Sequence, residues 1–236
     1  MGFFTNFSIS VIVILAFLAT SCNDCIKGEG EPVTKIIPLE PFNAIHLSGS
    51  NNITISQGLE QRVEIKAPEN IIALLNNEVR NKTWEITFKE CVQAGNIEIN
   101  ITTPAIEAIT VTGSGDVKGL NSLNVEQMML SIAGSGNIDL MLNTPGISTS
   151  ITGSGGVKLN GSATNHQVNI EGSGNIKAVD FTTVITKVKI TGSGDASVNA
   201  TELLEAQITG SGDVEYKDTG ARIVSDITGS GDIVKN

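Results

Sequence analysis

Ile170-Glu171-Gly172-Ser173-Gly174-Asn175-Ile176-Lys177-Ala178 is the stretch on which the fold turns. Side chains of an extended chain alternate between two faces, so Ile170, Gly172, Gly174, Ile176 and Ala178 share one side. Glu171, Ser173, Asn175 and Lys177 take the other. This is a half-buried strand with a glycine-bearing bend at its centre, where glycine permits positive φ and fills almost no interior volume.

The same unit recurs. Gly-Ser-Gly begins at Gly113, Gly134, Gly153, Gly172, Gly192, Gly210 and Gly229, at intervals of 21, 19, 19, 20, 18 and 19 residues. Two residues before each first glycine stands Val111, Ile132, Ile151, Ile170, Ile190, Ile208 or Ile227. Four residues after it stands Val117, Ile138, Val157, Ile176, Ala196, Val214 or Ile233. A period of about 19 suits one turn of a solenoid. Each turn cannot bury its inner face alone, so consecutive turns must stack strand on strand at about 4.8 Å. The fold class is therefore all-β, a parallel β-helix (β-solenoid), and the handedness of parallel crossovers makes it right-handed. Stretches such as Asn160–Asn165 and Lys217–Gly220 supply polar corners on the opposite edge.

Weaker copies precede the regular ones. Ile45–Ile55 nearly reproduces the repeat, and Val63–Ile65, Trp84–Phe88 and Ile97–Ile101 alternate as strands. Pro68–Leu75 departs from strand pattern and reads as one short helical turn that caps or decorates an open end. Residues 32–236 would make roughly ten turns and a rod roughly 50 Å long.

Composition agrees with this architecture. The 236 residues include 30 Ile, 18 Val and 25 Gly, with aromatics at only 4%, which is strand chemistry punctuated by glycine and excludes a helical bundle. A net charge of −10 with 15 scattered Lys and Arg offers no basic surface for phosphates, so nucleic acid is not an expected partner.

The first residues give an address. Phe7–Ala19 is an uncharged apolar run, too short to span a bilayer comfortably, followed by Thr20-Ser21-Cys22. Leu18-Ala19-Thr20-Ser21-Cys22 resembles a lipobox, in which the cysteine becomes lipidated, although leucine sits one place early and Met1–Ser8 lacks a basic residue. The expected organisation is a lipoprotein signal peptide over 1–21, lipidation at Cys22, a tether over 22–31 and a solenoid domain over 32–236. The membrane, reached through the lipid, is then a partner, and the location is the cell envelope as an outer-membrane lipoprotein, periplasmic or surface-exposed. Cys25 and Cys91 remain, and an oxidising envelope permits them to pair.

With its Gly-Ser-Gly-Asp/Asn turns, preceded by Phe42–Gly49 and Ile53–Gly58, the chain resembles the putative auto-transporter adhesin, head GIN domain family over about residues 34–234. The resemblance implies a right-handed β-helix with a pectin-lyase-like outline, on secreted or lipid-anchored envelope proteins. It implies adhesion to a surface glycan or protein, and no catalytic centre.

β-Helices also include polysaccharide lyases and hydrolases, which need clustered carboxylates or a carboxylate, calcium and base. Here Asp195, Asp213 and Asp232 recur with the repeat, as architecture does, whereas an active site should break it. Arg62, Arg80 and Arg222 lie apart from any acidic and histidine constellation, and His46 and His166 are 120 residues from each other. Both histidines read as exposed or hydrogen-bonded strand or loop residues, and no catalytic residue is assigned. The alternatives are a carbohydrate-active β-helix enzyme and a purely structural envelope lipoprotein. Trp84, beside Ile86 and Phe88, and Tyr216, in the column of Leu140, Leu159 and Val198, both point inward on this pattern. Outward, Asp116, Asn137, Gly156, Asn175, Asp195, Asp213 and Asp232 form one column. Two readings stand for its acidic end. Each carboxylate caps a backbone amide of the corner, or Asp195, Asp213 and Asp232 with Ser193, Ser211 and Ser230 form a ligand face that takes calcium, a cation suited to oxygen ligands.

Overall fold

The computed structural model describes residues 25–93, 95 and 97–236; the leader and Cys22 lie outside them. Two parallel ladders flank the Gly-Ser-Gly corner. In the first, Ala108–Gly113 and Gln127–Gly134 are followed by the C-terminal halves of Asn137–Gly153, Gly156–Gly172, Asn175–Gly192 and Ala196–Gly210, and then by Arg222–Gly229. Glycine lies against glycine throughout, from Gly113 to Gly229. In the second ladder, Asp116–Asn124 is followed by the N-terminal halves of the same long strands, then by Val214–Tyr216 and Ile233–Lys235. Each circuit brings the chain back one strand spacing further on, which is the parallel β-solenoid.

The inward column is as the alternation requires. Ile132, Ile151, Ile170, Ile190 and Ile208 are at most 1% exposed, as are Ile138, Ile176, Ala196 and Val214 across the corner. Each such isoleucine contributes about 1.5–3 kcal/mol by leaving water. Trp84 is fully buried, donates its indole N–H to the Asn76 carbonyl at 2.9 Å and lies 5.8 Å from the Phe42 ring. Tyr216 pairs with Val198 and packs half-buried against the core.

The N-terminal third departs from the expected stack. Ala44–Gly49 lies parallel between Thr83–Ile86 and Ala108–Gly113, and Asn52–Gln57 between Glu98–Thr103 and Asp116–Asn124. An earlier segment is thus inserted between two later ones. Beyond them Arg62–Ala67 runs antiparallel to Glu98–Thr103, and Val33–Ile36 antiparallel to Arg62–Ala67. The helix Glu69–Ile72 follows Pro68 and buries Ile71 and Ile72. These pieces close the end of the rod, as a solenoid's exposed core requires. Because residues 32–107 are spent largely on this closure, the regular solenoid has about seven turns rather than ten. Its first face carries nine rungs, from Thr83–Ile86 to Arg222–Gly229, about 38 Å at the usual spacing instead of 50 Å.

The segment expected to be a tether is partly docked. Cys25 is disulfide-bonded to Cys91, and Ile26–Lys27 pairs in parallel with Val92–Gln93. The Asn70 side chain holds the next residues, donating to the Lys27 carbonyl at 2.7 Å and accepting from the Glu29 amide at 3.0 Å.

Candidate binding face

At Gly192, φ is +128°, and a Cβ there would stand 2.3 Å from the Gly172 carbonyl oxygen of the preceding turn. Gly194 has ordinary φ, but a Cβ would lie 2.1 Å from the Gly174 oxygen. The first glycine is therefore demanded by conformation and contact together, and the second by contact alone. Between them the serine amide closes the corner: Ser193 N–H donates to the Gly172 carbonyl, Ser211 to Gly192 and Ser230 to Gly210, each at 2.8 Å. The serine side chains point to solvent.

The outer column is a side-chain-to-backbone relay. Asn52 Oδ1 accepts the Asp116 amide, Asp116 Oδ1 the Asn137 amide, Asn175 Oδ1 the Asp195 amide, Asp195 Oδ1 the Asp213 amide and Asp213 Oδ1 the Asp232 amide, all at 2.8–3.1 Å. In these five steps one turn's side chain satisfies the next turn's backbone. Gly156, which has no side chain, interrupts the relay, and the Gly155 carbonyl takes the Asn175 amide instead at 3.0 Å. Asp232 Oδ1 accepts the amide of its own neighbour, Ile233, at 2.7 Å. Ser193, Asp195, Ser211, Asp213, Ser230 and Asp232 are thus brought together as a line along the rod. Among the described residues, no three or more His, Cys, Asp or Glu side chains converge as a metal centre would need.

A second outward surface runs along the first ladder. Shallow open grooves meet at Gln167, one lined by Gln127, Ser148 and Gln167, the other by Gln167, Lys187, Glu205 and Val224. Lys187 and Glu205 are paired at 2.7 Å across adjacent rungs. The outward column through these grooves, Met129, Ser148, Gln167, Lys187, Glu205 and Val224, mixes apolar, hydroxyl, amide and charged side chains at strand spacing, and the sequence reading did not single it out.

The remaining chemistry-bearing residues are dispersed. His46 Nε2 meets Thr112 Oγ1 at 2.9 Å on the solvent side. His166 is in the core, 2% exposed, with Thr149 Oγ1 at 3.1 Å and Phe181 edge-on at 5.7 Å. Burial pushes its pKa down to about 4, because the charged imidazolium has lost its water. Thr183, Thr186 and Asn199 are buried nearby in the succession of turns, so polar residues that read as an exposed second edge are partly interior. Arg62 pairs with Glu64 at 2.7 Å and Arg80 with Glu78 at 2.8 Å.

A parallel β-solenoid closed at its N-terminal end, with an outward polar column repeated turn by turn, defines a class of solenoid repeat modules. Within that class, a family model described as putative auto-transporter adhesin, head GIN domain, matches residues 41–220. The chain belongs to that family. A crystal structure of a putative adhesin from Bacteroides fragilis is 26% identical, with a TM-score of 0.81, covering 89% of this chain and 100% of that one. One of a putative lipid binding protein from Parabacteroides distasonis is 28% identical, with a TM-score of 0.75, covering 90% and 100%. A putative adhesin from Parabacteroides merdae, 23% identical over 91% of this chain and 100% of that one with a TM-score of 0.75, shares the fold. No curated protein matches.

Proposed function

We infer that the chain is a noncatalytic adhesion or ligand-binding module, held to the cell envelope by lipid on Cys22. The observation that carries this reading is the outward repetition: the same polar groups recur once per turn on a rigid rod, a geometry suited to many weak contacts made in register. Membership of an adhesin family supports it. The outward carboxylates Asp195 and Asp213 follow the structural period, and their Oδ1 atoms hold backbone amides, so their occurrence is explained without an acid-base role. The ligand is a surface glycan or protein, met along the outward columns and the mixed polar and apolar grooves at Gln167.

The test is a panel of glycans and envelope preparations scored for retention and for released product. Retention without product release is the expected result. Release of sugars or unsaturated fragments, abolished by one carboxylate substitution, would instead identify a carbohydrate-active enzyme. No retention, together with protection of the chain from surface labelling on intact cells, would identify a structural lipoprotein.

A further inference from the structure

The outer column is broken at Gly156, and the fold does not impose the break. Gly156 has ordinary φ, and the only close contact of a Cβ there would be the tip of a flexible side chain, Asn137 Oδ1, at 2.8 Å. At Gly192 and Gly194, by contrast, a Cβ would meet backbone. Position 156 could therefore carry a side chain, as Asn137 and Asn175 do on the rungs to either side. Glycine leaves instead an open notch of about 330 Å³, lined among others by Asn137, Ser154, Lys158, Asn175 and Lys177.

The groups around the notch are unspent. Asn137 Nδ2 donates back to Asp116 at 2.9 Å, which turns Oδ1 toward position 156. The Gly156 amide donates to the Gly136 carbonyl, so that oxygen has no donor among the described residues. Asn175 Oδ1 reaches forward to the Asp195 amide, which turns its Nδ2 back toward the notch, and Nδ2 too has no partner among them. Lys158 and Lys177 face each other on adjacent rungs, about 4.8 Å apart along the rod. Asp139 lies 3.8 Å from Lys158, whereas Lys177 is exposed and forms no ion pair among the described residues. In the outer column Asp116 and Asp195 stand two rungs away on either side, each with Oδ1 engaged by an amide. On a chain of net charge −10, two neighbouring ammonium groups of which only one has a carboxylate within reach are an attraction for an anion.

Together these groups select a ligand. The ammonium groups take an anionic oxygen, and the Asn175 amide donates to a neutral one. The free Asn137 oxygen would repel an anion and needs a hydroxyl proton. An acidic sugar supplies all three, because its anionic group stands beside hydroxyls that both donate and accept. We propose that the notch at Gly156 binds an acidic sugar of a glycan chain, with its anionic group between Lys158 and Lys177, one hydroxyl donating to Asn137 Oδ1 and another oxygen accepting from Asn175 Nδ2. The proposal rests on the ligand-binding reading above and narrows its ligand to an acidic glycan, whose charge is a carboxylate or a sulfate ester.

Retention of the full chain, in mild detergent, on immobilised oligogalacturonate and dextran sulfate tests the proposal and tells a carboxylate from a sulfate. Each is run beside its neutral counterpart, methyl-esterified oligogalacturonate or dextran. A charged probe should be held in preference to its counterpart, with affinity reduced about tenfold by Lys177→Gln. Gly156→Asn, which fills the notch and completes the outer column, should abolish retention while melting no lower than the wild type. If that variant melts lower, Lys158→Gln combined with Lys177→Gln, both at exposed positions, takes its place and should abolish retention in the same way. No retention on either charged probe, equal retention of charged and neutral probes, or retention unchanged by filling the notch would overturn the proposal. The broader reading would survive any of these if another glycan or an envelope preparation is still bound, and would fall with it only if the whole panel fails.

Discussion

Asp195, Asp213 and Asp232 stand about one strand spacing apart, where like charges oppose one another by about 0.2–1 kcal/mol per pair. The repulsion is tolerated because Asp195 and Asp213 each hold the backbone of the following turn. Asparagine serves the same purpose at Asn175, whose Oδ1 holds the Asp195 amide at 3.0 Å. Replacing all three aspartates by asparagine should keep the relay and remove the repulsion, raising the melting temperature by about 2–4 °C. Millimolar calcium should move neither protein. A calcium-dependent rise confined to the wild type would make the column a metal site. His166 makes a second prediction at this scale. Its folded pKa of about 4 lies below that of the unfolded chain, near 6.5, so the unfolded state takes the proton first as pH falls. The stability it contributes is complete above about pH 6.5 and is lost on descending to about pH 4, a total of about 3 kcal/mol. Urea midpoints at pH 7 and pH 4 should differ less for His166→Asn than for the wild type, and equal differences would remove His166 as the cause.

In the strand Asn175–Gly192, Ile190 is fully buried and Thr191 exposed. Ile190→Asp places an unpaired carboxylate in the core and should cost several kcal/mol, while Thr191→Asp should cost less than about 0.5 kcal/mol. Comparable urea midpoints for the two would reverse the facing of this strand. Such facings were legible from the sequence because the period of two is short and unbroken around each Gly-Ser-Gly corner. The inward placement of Trp84 and Tyr216 was legible for the same reason. Elsewhere alternation was a poor guide. Thr183 and Thr186 are polar yet buried, and they satisfy each other with hydroxyls 2.5 Å apart. Threonine at an inner corner and threonine at an outer one look alike in a hydropathy pattern. The position of Ala44–Gly49 between two later strands was equally hidden, since its own alternation fits any rung and only its partners decide the order. The docking of Cys25–Lys27 on Cys91–Gln93 depended on a spatial approach that two cysteines 66 residues apart leave undetermined.

For the whole molecule, the envelope address makes the sharpest demand. Intact-mass analysis of the chain recovered from membranes should show Cys22 as the first residue, carrying lipid, and a different N-terminus or an unmodified cysteine would end the anchoring claim. Since Cys25 is bonded to Cys91, only three residues from such an anchor, the covalent link would hold the closed end of the rod against the bilayer and leave the Arg222–Gly229 end pointing away from it. The inserted strands Ala44–Gly49 and Asn52–Gln57 have a consequence for export. A chain delivered with its N-terminus first brings these strands out well before Thr83–Ile86 and Ala108–Gly113, the neighbours on either side of the first of them. They cannot be sandwiched until about half of the polypeptide has emerged, and must meanwhile wait with bare edges, the state in which strands are prone to mispairing. After that moment each new turn has a finished template beneath it and needs only its predecessor. On the proposed export, maturation would divide into a slow clasp, formed by distant segments, and a rapid winding that follows the order of synthesis.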